Sequence, residues 1–164
     1  MHELLAELTS GDDTRAEKSI PAIVDLGLAA IPTLLELTRA EEVDSRWWAV
    51  RALAASPHTR TENLIPLLSD SASEVRAAAA LALCNHPDES AIPALINTLS
   101  DEDSLTAGLA GNALVKIGSP SVPSLLTVMS EAPTGIRIIV LRALSEIRDH
   151  RAIPMMMKSL SEES

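Results

Sequence analysis

Aromatic side chains are almost missing from this chain: 164 residues contain two tryptophans and no phenylalanine or tyrosine. With apolar residues at 46%, the core must be built from Ala, Leu, Ile and Val packed closely, which suits helices approaching through small residues. Cysteine is nearly absent too. Cys84 stands alone, which excludes an intrachain disulfide and a two-cysteine zinc site. Basic residues are scarce, 13 against 23 acidic, for a formal net charge of -10 and no run of Lys or Arg. Such a chain is repelled by phosphate backbones and by anionic membrane surfaces. No apolar stretch approaches the length of a membrane span. The opening Met1-His2-Glu3-Leu4-Leu5-Ala6-Glu7 is amphipathic and acidic, without the basic start and apolar core of a signal peptide. These absences predict a reduced cytoplasmic protein that binds neither nucleic acid nor membrane.

What is present is a repeat. An Ile-Pro or Val-Pro pair followed by apolar residues recurs with prolines at Pro32, Pro66, Pro93, Pro123 and Pro154. A second marker, an Arg with Ala-Leu six and seven residues on, recurs at Arg46, Arg76 and Arg137; Arg15 and Ala107 hold the same slot in units one and four. Two independent markers share a period of about 30 residues, the signature of stacked supersecondary units. A hairpin of that size buries too little alone, so its core is shared with its neighbours.

Each unit reads as two helices. The first carries Pro in its opening turn, where a missing N–H has no intrahelical partner to lose. The second begins near the Arg and carries small residues at three and six after it (Ala49, Ala79, Ala110; Ala52, Ala82, Ala113, Ala143), with Leu53, Leu83, Leu114 and Leu144 at seven. The expected pairs are 2–10 with 13–26, 29–39 with 43–56, 61–69 with 72–86, 90–99 with 103–117 and 120–130 with 134–148, closed by a helix at 150–161. Asp and Ser between the helices offer N-caps; Gly27, Pro57, Pro87 and Gly118 punctuate the other junctions. Unit one departs, with Glu17, Lys18 and Pro21, as a capping unit with one face in water would. Pro21 predicts a kink or break, or else Ile20-Pro21-Ala22-Ile23-Val24 opens a helix of its own.

These residues resemble HEAT repeats, most closely the short kind of phycobilisome-lyase-like proteins, with Leu68-Ser69-Asp70, Val75-Arg76, Ala82-Leu83 and Ile92-Pro93-Ala94-Leu95 matching best. The resemblance implies an all-α, right-handed α–α superhelix: a HEAT-like solenoid of five hairpins (1–27, 28–57, 58–87, 88–118, 119–149) and a C-terminal helix, as one domain over 1–164. It also implies an Asp–Arg ladder. The Asp slot holds Asp70, Asp101 and Glu131 but Thr9 and Ala40 in units one and two, so pairs are expected around units three and five, with fixing of the interhelix turn as their main role.

Chemistry is hard to find. His2-Glu3 is similar to the metal-binding His-Glu pairs of HEAT-repeat hydroxylases, but His58, His86 and His150 are not followed by Glu, and the metal reading fails. His58 and His86, beside Pro57 and Pro87, read as solvated loop histidines. Cys84 as a nucleophile or bilin attachment point has no histidine on its helical face, and reads better as one more small residue in an Ala-rich helix. Met155-Met156-Met157 reads as partly exposed terminal-helix packing in preference to an adaptable binding surface. No phosphate loop or nucleophile elbow is present. The expectation is a protein without catalytic residues, metal or cofactor.

A candidate surface remains. The slots one and five after the Arg are expected to face outward along the concave side: Ala16, Trp47, Ala77, Gly108, Ile138 and Ile20, Arg51, Leu81, Asn112, Arg142. Apolar for a solvent face, this strip predicts contact with another protein or peptide through Trp47, Arg51, Leu81, Asn112, Ile138 and Arg142. Gly108 and Gly111 would leave a notch in it. The competing reading half-buries Trp47 and Leu81 and uses the glycines for close packing; Trp48 reads as core filler. The leading expectation is a non-catalytic protein-binding scaffold, whose solenoid ends could stack on a second copy. The alternative, from the resemblance, is a bilin lyase or isomerase-type subunit acting with a partner chain.

Overall fold

The structure, a computed structural model, describes residues 1–154 and 157. Among them it is all helix and turn, without a strand, and divides into two compact units, Met1–His86 and Pro87–Ser164.

The first unit holds α1 (His2–Leu8), α2 (Asp13–Asp25), α3 (Ile31–Leu37), α4 (Val43–Ala55), α5 (Thr61–Leu64) and α6 (Ser73–Asn85). Helices α2, α4 and α6 pack in sequence, with α1 and α3 laid against α2 and α4. Asp12 starts α2: its carboxylate accepts the amides of Thr14 and Arg15 at 2.9 and 3.1 Å. Pro21 neither ends α2 nor opens a new helix. Asp13–Asp25 is continuous, with Pro21 inside it. The proline denies Glu17 its intrahelical donor, and it does so on an exposed face where water can replace it. In unit three the expected helix over 61–69 is α only to Leu64 and a tighter 3₁₀ turn over Ile65–Ser69. Pro66 lies in the sixth position of that stretch rather than the second, and its ring and missing N–H end the α ladder there.

The second unit holds α7 (Ile92–Thr98), α8 (Ser104–Ile117), α9 (Val122–Glu131) and α10 (Thr134–Ile147). Here α7 packs on α8 and α9, and α10 on α8 and α9. Pro93 and Pro123 sit in the opening turns of α7 and α9, as expected. A 3₁₀ turn over His150–Ala152 follows. Residues 155, 156 and 158–161 of the expected closing helix, Met155 and Met156 included, lie outside the described residues.

The core is the one the slots predict. Ala49, Ala52, Ala79, Ala82, Ala110 and Ala113 are fully buried, and Leu53, Leu83, Leu114 and Leu144 are at most 1% exposed. Each such Leu contributes about 1.5–3 kcal/mol on burial. Hydroxyls finish the second helices: Thr59 Oγ1 donates to the Leu53 carbonyl at 2.7 Å and Ser121 Oγ to that of Leu114 at 3.0 Å.

The Arg slot does what the repeat pattern implies, with a shift of partner. Arg46 Nε and an Nη donate to both oxygens of Asp70 at 2.8 Å, so unit three's Asp pairs with unit two's Arg. The other Nη of Arg46 donates to the carbonyls of Ala40 and Glu41, and Arg76 reaches Asp70 and Ser71 carbonyls in the same way. Each Arg thus ties down the turn before its own helix. Asp70, three residues before α6, also accepts the Ala72 amide at 2.8 Å and so organises the start of that helix. Burial pushes the Asp70 carboxyl up, but the Arg46 guanidinium and the Ala72 amide outweigh it and hold the group below its ordinary range. Unit one, with Thr9 in the Asp slot, uses another acid: Arg15 forks onto Glu7 at 2.6 and 2.7 Å.

Candidate functional site

Three second helices of the first unit begin beside one another, and their opening turns surround a cleft of about 940 Å³. Trp47 and Trp48, consecutive on α4, form its floor together with Val43. The two rings meet edge to face, centroids 4.7 Å apart and planes at 84°. Trp48 is 3% exposed, the core filler expected of it, while Trp47 is half-buried. The rim is acidic: Asp13 from α2, Asp44 from α4, Glu74 from α6 and Glu17 one turn deeper on α2, against one cation, Lys18.

Arg51 closes one side from outside the rim. Its guanidinium sits over the Trp47 ring, 5.5 Å from the centroid, and one Nη donates to both Glu17 oxygens at 2.9 Å. Its Nε has no acceptor among the described residues. Glu17 is thereby neutralised within the fold. Asp13 and Asp44 form no hydrogen bond or ion pair among the described residues. They occupy the first turns of α2 and α4, where a helix N-terminus favours a carboxylate.

The six residues expected at a partner surface divide between the units. In the first, Trp47 and Arg51 are brought together on α4, and Leu81 stands 44% exposed on α6. In the second, Arg142 of α10 donates to Asn112 Oδ1 of α8 at 2.9 Å and to the Gly108 carbonyl at 3.4 Å, with Ile138 one turn away and 63% exposed. Both arginines are therefore spent on neighbouring helices. Not every outward slot faces outward. Ala16, Ala77 and Ile20 are buried, because α1 and α4 cover that side of α2 and α4 covers α6. The expected notch is half filled. A Cβ on Gly111 would meet Ile139 Cγ2 at 2.6 Å, so this glycine serves close packing of α8 on α10, whereas Gly108 faces open space.

Of the other candidates, Cys84 is half-buried with its thiol directed at the Ala80 carbonyl, one turn back on α6, as a small helical residue would be. His58 is exposed. His86 corrects the expectation of a solvated loop residue: its ring Nε2 lies 3.1 Å from the Ala54 carbonyl, which as an open helix-end acceptor needs a donor. His86 Nε2 must carry the proton to donate there. Among the described residues no group of three His, Cys, Asp or Glu is placed to hold a metal ion, and no helix is long and apolar enough to cross a membrane.

The rim acids are the residues that the search for functional positions passed over. Their signal lies in the repeat: the slot two before the Arg reads Asp13, Asp44, Glu74, then Leu105 and Gly135. Acid in three successive units becomes visible as a cluster only once the helices are set side by side.

The HEAT-repeat family model matches residues 61–137. Over that stretch, just under half of its length, the chain is similar to HEAT repeats. The chain is 37% identical over 81 residues to the bilin biosynthesis protein RpcF of Synechococcus sp. and 34% identical over 89 residues to the phycocyanobilin lyase subunit beta of Nostoc sp.. Those stretches are 49% and 54% of this chain but 39% and 44% of the relatives' own lengths. A solved structure, the complex of CpcE and CpcF of phycocyanin lyase from Nostoc sp., superposes with a TM-score of 0.67 at 24% identity, over 87% of this chain and 96% of that one. The fold is the one expected from the sequence.

The relatives' names overturn the expectation of a protein without a part in catalysis, since they are a bilin biosynthesis protein and a lyase subunit. A search for catalytic constellations asks whether one chain holds a complete site. A subunit of a lyase need not hold one.

Proposed function

We propose that this chain is a bilin lyase or isomerase-type subunit that works with a second protein chain in the cytoplasm. The observation that carries the reading is its 37% identity over 81 residues to a bilin biosynthesis protein. Two features support it. The repeats follow the lyase-type pattern through Leu68-Ser69-Asp70, Val75-Arg76 and Ala82-Leu83. Apolar side chains stand in water at Leu81 in the first unit and at Ile138 in the second, at slots that an associating surface would use.

The test is spectroscopic. Purified chain is mixed with phycocyanobilin alone, and then with each chain of the Nostoc lyase complex in turn. A shifted and sharpened bilin absorption band is expected only when this chain and a partner are both present. A band unchanged in every mixture would overturn the proposal. Leu81→Asp with Ile138→Asp should keep the helical circular dichroism and abolish the shift if those residues meet the partner.

A further inference from the structure

We infer that the tryptophan-floored cleft of the first unit docks a cationic segment of a protein partner, taking an Arg or Lys side chain between its acidic rim and the Trp47–Trp48 floor. The inference goes beyond the lyase reading and holds whether or not the chain acts on bilins.

The cleft's size, about 940 Å³, is at the upper end of small-ligand pockets and admits two or three side chains of an extended peptide. Its chemistry selects among occupants. With Glu17 committed to Arg51, three carboxylates (Asp13, Asp44, Glu74) face one ammonium, Lys18, so the rim is negative by two formal charges. The positive helix ends at this site attract no further anion, because each already carries its own acid: Asp13 on α2, Asp44 on α4 and Glu74 on α6. An anionic ligand, the propionate arms of a bilin included, would meet that rim unfavourably. A guanidinium or ammonium meets it well, and its aliphatic stem or plane can lie on the indole of half-buried Trp47, a ring that already carries the Arg51 guanidinium. The net charge of -10 steers a basic partner toward the protein as a whole. The corresponding slots of the second unit hold Leu105 and Gly135, so this acid slot is filled by a carboxylate only in the first unit.

The two tryptophans are the chain's only Phe, Tyr or Trp residues, and both line the cleft, so in the folded chain intrinsic fluorescence reads out binding at this site. The probes are a capped Arg-Leu-Arg-Leu-Arg peptide and its Glu-Leu-Glu-Leu-Glu counterpart, titrated into the whole chain. The Arg peptide should change the emission saturably, and its affinity should fall roughly tenfold as salt rises from about 0.02 to about 0.3 M. Asp13→Asn with Asp44→Asn should weaken it by about tenfold, and Glu74→Gln alone by about threefold, with native circular dichroism in both. The acidic peptide should leave the emission unchanged. No response to the Arg peptide, equal response to both peptides, or an unchanged affinity in folded variants would overturn the inference. Displacement of the Arg peptide by equimolar biliverdin would also overturn it, and would assign the cleft to the bilin.

Discussion

Replacing Asp70 by Asn removes the anchor between the second and third repeats and leaves its volume intact. In the native chain Asp70 takes three short charge-assisted bonds, two from Arg46 and one from the Ala72 amide, each at 2.8 Å. Both side chains of the ion pair are 10% exposed. The amide variant can accept one bond from Arg46, and its NH₂ then faces a cationic donor. Arg46 keeps its bonds to the Ala40 and Glu41 carbonyls, so the cost falls short of the 3–5 kcal/mol of a fully orphaned buried charge; about 2–3 kcal/mol is expected. Urea unfolding at pH 7, followed by circular dichroism, measures it. The pH dependence gives the sign. A carboxyl whose pKa is lowered by folding contributes stability that is present above its unfolded value, 3.8, and is lost as pH falls through the folded value. The gap between native and D70N chains should therefore hold from pH 7 to about 5 and close below about 4. A gap under about 0.5 kcal/mol at pH 7 would refute the reasoning, as would one that does not shrink in acid.

Five further substitutions probe packing and backbone geometry. Gly111→Ala places a methyl 2.6 Å from the stiff Ile139 Cγ2 and should lower stability by about 1–3 kcal/mol, whereas Gly108→Ala meets open space and should stabilise α8 by up to about 1 kcal/mol; paired denaturant titrations would show the opposite signs. Arg148 sits in the left-handed region at φ 57°, closing α10, so Arg148→Gly should raise stability by about 0.5–1 kcal/mol in the same assay. Trp48→Ala empties a site 3% exposed to solvent and should cost about 3–5 kcal/mol, enough to lower the melting temperature by several degrees, while half-buried Trp47→Ala should cost distinctly less.

Much of the fold was legible because it depends on local rules applied repeatedly. The Ala-Ala-Leu register placed the buried face of α4, α6 and α8 residue by residue, since each small side chain is a condition for helix approach. What escaped was set by position within an element or between elements. Pro66 ends an α-helix because it falls a full turn later than Pro93 does, a difference invisible when the Ile-Pro pairs are aligned on the proline. His86 looked like a loop residue beside Pro87, but the Ala54 carbonyl 32 residues earlier claims its ring. The surface was half legible: exposure at Leu81, Ile138 and Arg142 follows the helical slots, while Ala16 and Ile20 are covered by α1 and α4, which slot counting along one helix cannot foresee. The acid slot shared by Asp13, Asp44 and Glu74 was written in the repeat from the start. It becomes a site only because α2, α4 and α6 pack in sequence around two tryptophans.

The proposal to be tested is that this chain is a bilin lyase or isomerase-type subunit acting with a partner chain. The most direct measurement is covalent bilin transfer in a bacterium making phycocyanobilin, with a phycocyanin acceptor, one chain of the Nostoc lyase complex and this chain expressed together. Denaturing gels stained with zinc reveal bilin bonded to the acceptor. The account predicts a fluorescent acceptor band that requires this chain and at least one of the two Nostoc chains. A band of equal strength without this chain, or none with either partner, would contradict it.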